Sequence, residues 1–590
     1  MGGVYVPRPG AVARSSLGRA PLHATPLHST EQWAHQTGRE TAAERRPDRM
    51  PDMTDPVDAI VVGGGHNGLA CAAYLAKSGF KPLVLEKRGV IGGAAVTEEP
   101  WPGFKVSSLS YVQSLMPPKI IKELELPKRG YKVYPMGPYF MSFPDGSGVV
   151  MYEDYDRRYA EMAKFSKHDA DVYDDYVAWK DGLAQVVRHL LWMTPPKLGS
   201  RSLPDLLDQL RFAWKLRGLG GRGVADLTRI MTMSAADLLD DWFESDRIKA
   251  GLSIDGIIGT WAGPYEPGTA YVLLHHEIGT VDEDEADGPI GAWGFVHGGM
   301  GAVSTNLAAA VEEYGGQVRL NAPVARILAE GDRTVGVVLE SGEEIRADLV
   351  ISNAHPQITF LRLIEERQLP AEFVTDIRNY DSRSGTVKVN LGISELPNFT
   401  SVPGTNLQPH HTGAIELAHS MEYIQQAFDD ARQGRGSTKP YCDGVIASTL
   451  DPTIAPEGMH IFSMFAQWVP QSWHAEPHRD EVEAFADRLI DGYNELAPNL
   501  KGSIVHRQVI SPYDMEHEYS LIGGNIFHGE LTLNQLFHMR PAAGYANYRT
   551  PIKGLYQCGS STHPGGGVTG LPGRNAAREI LKDRRKRKIA

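Results

Sequence analysis

The chain alternates between short, continuous apolar runs and longer stretches with a helical period. Residues 57–62, Val57-Asp58-Ala59-Ile60-Val61-Val62, form a β-branched run that predicts a buried strand. Small apolar residues from Leu69 to Lys77 predict a helix, with Gly79 where its C-terminal cap belongs. Pro82-Leu83-Val84-Leu85-Glu86 predicts the next strand, ending in an acid. Further on, a helix from near Gly301 ends at Gly315-Gly316-Gln317. Short strands are then predicted at 318–320, 324–328, 335–339 and 344–346, with a turn at Ser341-Gly342, and a buried strand at 349–351. A last strand is expected at 554–559 and a last helix from Asn575 to Lys582. Between these pieces, residues 155–290 follow a helical period and carry Trp179, Trp192, Trp214 and Trp242. Residues 383–500 open on alternating Val387, Val389 and Leu391 and include the apolar run Ile461 to Phe465.

A strand meander set between strand–helix–strand units predicts an α/β chain. The expected architecture is a two-dinucleotide-type, Rossmann-like fold with an interleaved α+β substrate domain. The dinucleotide-binding domain is expected in three parts, 53–154, 291–382 and 501–582, and the substrate domain in two, 155–290 and 383–500. A basic tail occupies 583–590. Residues 1–52 hold seven arginines, no lysine and no apolar period, so they predict a disordered leader. One reading is a start upstream of a natural N-terminus at Met53. The other is a transit peptide, which Glu31, Glu40, Glu44 and Asp48 weaken.

The formal charge, 59 − 72 = −13, argues against nucleic acid as the main partner. The three cysteines, Cys71, Cys442 and Cys558, are far apart in sequence. That excludes a CxxC redox or zinc pair and fits a reducing interior. Cys71 falls in the first helix and Cys558 ends a buried strand, while Cys442 reads as alone in a polar loop. No uninterrupted apolar stretch is long enough for a spanning helix. HExxH, GxSxG and P-loop patterns are missing, and His275-His276 and His410-His411 lack the i, i+4 spacing of helical metal ligands, so no metal site is expected.

Gly63-Gly64-Gly65-His66-Asn67-Gly68 lies between the first strand and the first helix, and Glu86 closes the second strand. This is the dinucleotide fingerprint in its full context. Gly63 makes the tight turn, Gly65 admits a pyrophosphate to the backbone, Gly68 lets helix and strand approach, and Glu86 can accept from a ribose hydroxyl. The match at Gly218 to Gly223 has no strand before it and predicts an unrelated loop. The match at Gly565 to Gly570 does follow a strand and precedes a helix. It could approach the same cofactor from the far end of the chain.

With these motifs the chain resembles the carotenoid/retinoid oxidoreductase family, which includes the phytoene desaturases. Three segments carry the likeness: 58–97, with its second glycine pair Gly92-Gly93; Gly298-Gly299-Met300-Gly301 through Ser352-Asn353-Ala354; and Gly559-Ser560-Ser561-Thr562-His563-Pro564-Gly565-Gly566-Gly567-Val568. The resemblance implies one non-covalent FAD and, with only the decoy to spare, no dedicated NAD(P) site. It places FAD on Gly63, Gly65, His66, Asn67, Gly68, Glu86, Lys87, Gly92, Gly93, Val324, Gly559, Gly567 and Val568. Many relatives carry arginine after the second glycine pair; here Ala94 stands there, with Arg88 nearby. The implied function is an FAD-dependent dehydrogenase, desaturase or oxidase that moves hydride from a largely apolar or lipid-like substrate to flavin N5. Electrons would pass on to oxygen, a quinone or a protein. A histidine could take the accompanying proton; His563, His275, His276 and His528 are the candidates, His563 first because its neighbours approach the flavin. The alternatives are a non-catalytic lipid- or prenyl-binding protein on the same fold, and a flavin amine oxidase. Peripheral membrane contact is a second reading of two segments, 189–215 and the basic end 582–588, against buried core and a solvated helix end. By resemblance, the location is cytoplasmic for a bacterial protein and the mitochondrial matrix for a eukaryotic one. The residues leave the oligomeric state open.

Overall fold

Four buried residues form β1 (Ala59–Val62). It leads into α1 (His66–Lys77), then β2 (Pro82–Leu85). The structure, a computed structural model, describes residues 57–217, 220–279 and 292–586, within a unit spanning Pro56–Ala590. The leader 1–52 and residues 587–590 of the tail lie outside the described residues. After α1 and β2 come the hairpin β3 (Tyr139–Ser142) and β4 (Gly148–Met151). A helical stretch follows with α2 (Lys167–Leu191), α3 (Leu203–Leu216), α4 (Gly220–Thr232) and α5 (Thr269–His276). Helix α6 (Gly301–Glu313) feeds β5 (Gln317–Arg319), the meander β6 (Val324–Glu330), β7 (Arg333–Leu339) and β8 (Glu344–Arg346), then β9 (Val350–Ser352). Four longer strands come next: β10 (Thr386–Ile393), β11 (Ala414–Leu417), β12 (Tyr441–Val445) and β13 (His460–Gln467). Helix α7 (Arg479–Leu496), β14 (Ile504–Ile510), β15 (Leu555–Gln557) and α8 (Leu571–Arg585) complete the course.

The first sheet has the order β15-β9-β1-β2-β5, with every neighbour parallel. Parallel strands covered on both faces must be apolar throughout, which is why β1, β2 and β9 are continuous apolar runs. Helices α1 and α8 cross here at close range. A methyl on Gly573 would stand 2.0 Å from the carbonyl oxygen of Asn67. The second sheet has the order β14-β10-β13-β12-β11-β3-β4 and is antiparallel except where β11 meets β3. It takes β3 and β4 from before residue 155 and β14 from beyond residue 500, so boundaries at 154/155 and 500/501 cut through it. Strand pairing decides membership here, and pairing across hundreds of residues leaves no local pattern.

Three local expectations need correction. Gly220, Gly221 and Gly223 are not in a loop: they begin α4, because Leu227, Ile230 and Met231 recur at helical spacing and pack on the core. Cys442 is not in a polar loop either. It sits within β12, fully buried, on the face that packs under α7. Segment 189–215 is not buried core over its second half. Leu203, Leu207, Leu210 and Trp214, at helical spacing on α3, are between 54% and 78% exposed.

Candidate functional site

The turn after β1 is built from backbone contacts. Gly63, at φ +97°, donates its amide to Leu85 O at 2.8 Å, tying the turn to the end of β2. Gly64 donates to Glu86 Oε2 at 2.7 Å and Arg88 N donates to Glu86 Oε1 at 2.9 Å, so the carboxylate is held at the strand end by two amides. Helix α1 starts at His66, three residues earlier than its apolar period suggests, because Gly65 takes an extended cap. The first-turn amides are thereby presented beside the turn, as anion binding requires. The Gly92-Gly93 loop lies against it: Gly92, at φ +122°, donates to Gly64 O at 2.9 Å. A methyl on Gly68 would come 2.4 Å from Gly63 O, so that glycine serves helix–strand contact. A methyl on Gly65 would meet Asn353 Nδ2 at 2.7 Å.

Gly63, Gly65, His66, Glu86, Gly92 and Gly93 line one groove with Lys87, Arg88, Val324, Asn353 and His355. Lys87 Nζ donates to Ser520 Oγ at 2.6 Å, and burial lowers its pKa. Arg88 pairs with Glu98 at 2.6 Å and lies 4.5 Å over the Tyr519 ring. Its Nη1 is buried with no hydrogen-bond partner among the described residues. Gly68 and Gly559 do not line the groove. Gly559 is pressed against the Asn353 carbonyl, where a methyl would stand at 2.5 Å.

The C-terminal glycine loop closes on the same place. Asn67 Nδ2 donates to Ser560 Oγ at 2.9 Å, and His66 Nε2 lies 3.2 Å from Gly567 O. A second cavity begins there. His66, Ala94, His528 and Ser560 line both spaces, while Gly567 and Val568 line the second. Arg540, fully buried, fixes the loops from behind. Its Nη2 donates to the carbonyls of Phe527, Gly529 and Ser560 at 3.1–3.2 Å, and Nη1 to Glu530 O at 2.9 Å.

The four histidine candidates part company. His528 faces the junction of the two spaces, at φ +55°, and burial holds its pKa near 3. His276 lines the second cavity, with Nδ1 2.9 Å from Val272 O and its ring stacked on Trp293. His275 lines neither space and reaches the Gly566 carbonyl at 3.4 Å from behind. His563, the first candidate by sequence, also lines neither. Its ring turns into a small apolar cavity with Leu190, Met193 and Phe537, away from the second cavity that Gly567 of the same loop lines. Asn353, Ser560 and Arg540 escaped the sequence reading. Asn353 and Ser560 stand inside quoted motifs, and their place directly after parallel strands of the first sheet was the available signal.

Cys71 and Cys558 are neighbours in the core, fully buried. Burial first and the Cys71 thiol second push the Cys558 thiol well up. Neither sulfur lines the groove or the second cavity.

The groove fits a flavin dinucleotide on its own evidence of shape and unmet polarity. It has a fixed carboxylate at the end of β2, glycine backbone and helix amides in the middle, and a glycine loop at its far end. Arg88 Nη1 and Asn67 Oδ1 are buried polar atoms without partners among the described residues, which a ligand in the groove would complete. The comparisons agree. Residues 61–112 match the sequence model of an NAD(P)-binding Rossmann-like domain, and residues 142–581 match that of the flavin containing amine oxidoreductases. Pyridine nucleotide-disulfide oxidoreductase domain-containing protein 2 of Rattus norvegicus is 39% identical, over 89% of this chain and 93% of its own. A neurosporene-forming phytoene desaturase of Cereibacter sphaeroides is 26% identical over 89% of this chain and 95% of its own. Cyclohexylamine oxidase from Brevibacterium oxydans shares the fold, with a TM-score of 0.53 at 18% identity, over 90% of this chain and 100% of that one. From the matched family model and the 39% relative together, the chain belongs to the flavin-containing amine oxidoreductases and is an FAD-dependent oxidoreductase.

Proposed function

We propose that the protein dehydrogenates a molecule with a large apolar part, bound in the cavity that opens where the groove ends. The observation that carries this reading is the shared wall: His66, Ala94, His528 and Ser560 border both the groove and a cavity lined also by Leu109, Met136, Ile258, Phe465 and Ile526. Bound FAD supplies the acceptor for hydride. In this reading Glu86 holds the ribose, and Gly63 to Gly65, the amides of α1 and Arg88 hold the pyrophosphate. The Gly565 to Val568 loop lets the flavin ring lie against backbone, and the apolar lining keeps water out. His528 stays neutral near neutral pH, since burial holds it near 3. It therefore orients by hydrogen bonding and is a weak proton acceptor there. The relatives include a protein named a phytoene desaturase and a likeness to a cyclohexylamine oxidase, so apolar and amine substrates are both in keeping with the reading.

Electrons leaving the flavin would go to oxygen, a quinone or a protein. The Gly63 turn has both a strand before it and an acid closing the next strand, whereas α4, with its glycines, follows a helix. The glycine loop between β15 and α8 closes on the groove of the Gly63 turn, through His66 and Gly567, so in this reading both serve one cofactor and NAD(P)H does not reduce the flavin directly. The exposed row Leu203, Leu207, Leu210 and Trp214 of α3, flanked by exposed Lys197, Arg201 and Arg217, supports peripheral contact with an anionic membrane.

The purified protein should carry one FAD per chain. Glu86→Ala should weaken its retention by about 1–3 kcal/mol, the cost of unpaired buried groups. Flavin absent from the wild-type protein, or held equally well by the variant, overturns the assignment of the groove. Mixing with NADH or NADPH in a stopped-flow instrument should give no rapid, saturable bleaching, and such bleaching would remove the proposed acceptors.

A further inference from the structure

Two segments that stand far apart in the sequence meet on one cleft. Its volume is about 800 Å³, and it lies between the end of α2 with the chain that follows, α3 and α8. Residues from 188–211 supply one wall, and the basic end of α8 supplies much of the other. No residue of this lining borders the flavin groove or the second cavity. The lining holds nine lysines and arginines against four acids, on a chain whose formal charge is −13. The cleft is therefore a positive site on a negative molecule.

Helical spacing arranges these charges. Arg574, Arg578, Lys582 and Lys586 recur every four residues, which sets them in a column along one side of α8 and its cap. The acids of the lining are already engaged. Arg549 donates to Glu579 Oε2 at 3.0 Å and to Asp583 Oδ2 at 2.6 Å, and Lys582 pairs with Glu579 at 2.5 Å. Asp208 accepts from Arg211 at 2.9 Å, and Asp205 from Ser202 Oγ at 2.7 Å. Arg578 and Lys586 are exposed and form no ion pair among the described residues. Arg574 is the deepest of the column, at 4% exposure. Its Nε donates to Glu123 Oε2 at 3.0 Å, an oxygen that also accepts from Tyr74 at 2.6 Å. The Trp192 ring lies 4.4 Å from the guanidinium. The fork is thus fixed from one side, while Nη1 is buried with no partner among the described residues. A buried polar group left unmet is costly. A fixed, planar guanidinium matches the oxygens of a phosphate.

We propose that this cleft binds a soluble ester carrying two or more phosphates, with Arg574 as the anchor and Arg578, one helical turn on, at the next phosphate. The phosphate of a membrane lipid shares this chemistry, but the period of α3 favours the soluble source. Asp205, Asp208 and Arg211 face the cleft, whereas the exposed row Leu203, Leu207, Leu210 and Trp214 falls on the opposite side of the helix. A membrane against that row would lie across α3 from the cleft. The site stands apart from the function proposed above and does not depend on it.

The test titrates inorganic pyrophosphate calorimetrically into the FAD-loaded full chain, so that the flavin groove is occupied. An ionic strength of about 0.15 M screens diffuse attraction. One saturable site per chain is expected, with FAD content unchanged. Arg578→Glu should weaken binding at least about tenfold, and so should Arg574→Lys, which keeps the charge and loses the fork. Arg585→Glu makes the same charge change on α8 outside the cleft and should leave the affinity within about twofold. Vesicles of anionic lipid should float the wild-type protein and Arg578→Glu alike. The proposal is overturned by the lack of a saturable site, by equal losses in Arg585→Glu and Arg578→Glu, or by flotation lost in Arg578→Glu while pyrophosphate still binds. Should Arg574→Lys fail to fold, the wild-type titration and the two variants at exposed positions still decide the matter.

Discussion

At the scale of single residues, His528 and His563 sit on two different loops that touch where Gly566 meets Phe527, and their rings have opposite fates. The chain direction at the glycine loop turns the His563 ring to the reverse side, among Leu190, Met193 and Phe537, while His528 faces the flavin groove. His528→Ala should shift the spectrum of the bound flavin and lower its affinity. His563→Ala should leave the spectrum unchanged and lower the melting temperature, at about 2–3 kcal/mol for a buried ring replaced by a void. A spectral change in the second variant and none in the first would reverse the assignment. The fingerprint residues were legible because each performs a backbone task that only one residue type permits. The histidines were not, since a sequence fixes neither the sign of a turn nor the side on which a ring emerges.

Elements were legible in proportion to how local their cause is. β1, α1, β2 and the meander follow from apolar runs and glycine punctuation, and their bounds shift by a few residues at most. α4 was missed because glycine argues for a loop, while three core contacts at helical spacing prevail. α3 was read as core because its leucines and tryptophan fit a packed helix equally well; nothing local says that no partner covers them. That row gives an element-scale prediction. With vesicles of one-third anionic lipid, the wild-type protein should co-float, and Leu207→Glu with Trp214→Glu should reduce the floated fraction at least about fivefold, because apolar insertion and charge attraction act together. Flavin content should not change. Equal flotation of both proteins would assign α3 to another partner.

For the whole molecule, the polar face of the second sheet and the histidines set the response to pH. Burial depresses ten histidines, His66, His275, His276, His355, His410, His411, His419, His460, His528 and His563, below the ordinary 6.5. Each is neutral when folded and takes up a proton more readily when unfolded. Its share of stability is therefore present above about 6.5 and lost as pH falls toward the folded value. For His66, lowered to about 4, that share is about 3 kcal/mol. Asp181, Asp255, Glu266, Glu416 and Asp443, raised by burial, act in the opposite sense and are fewer. The melting temperature of the flavin-loaded protein should fall steadily from pH 6.5 to pH 4.5. A level or rising curve over that span would mean that the carboxyls dominate. Little of this was legible beforehand, because alternation along β10 to β13 predicts one buried face and one wet one, and burying the second face needs the other domain.

The order of the first sheet has a consequence for how the protein is made. β15 is the last strand of this sheet to be synthesised, yet it lies one strand from β1, and α8 rests on α1 through Gly573. A ribosome releases the fingerprint several hundred residues before its closing piece, α8. Until then the apolar surface of α1 that α8 will cover is open, inviting chaperones and proteases. Premature stop codons anywhere between α1 and α8 should thus behave alike, each leaving a nascent chain unable to seal its nucleotide fold.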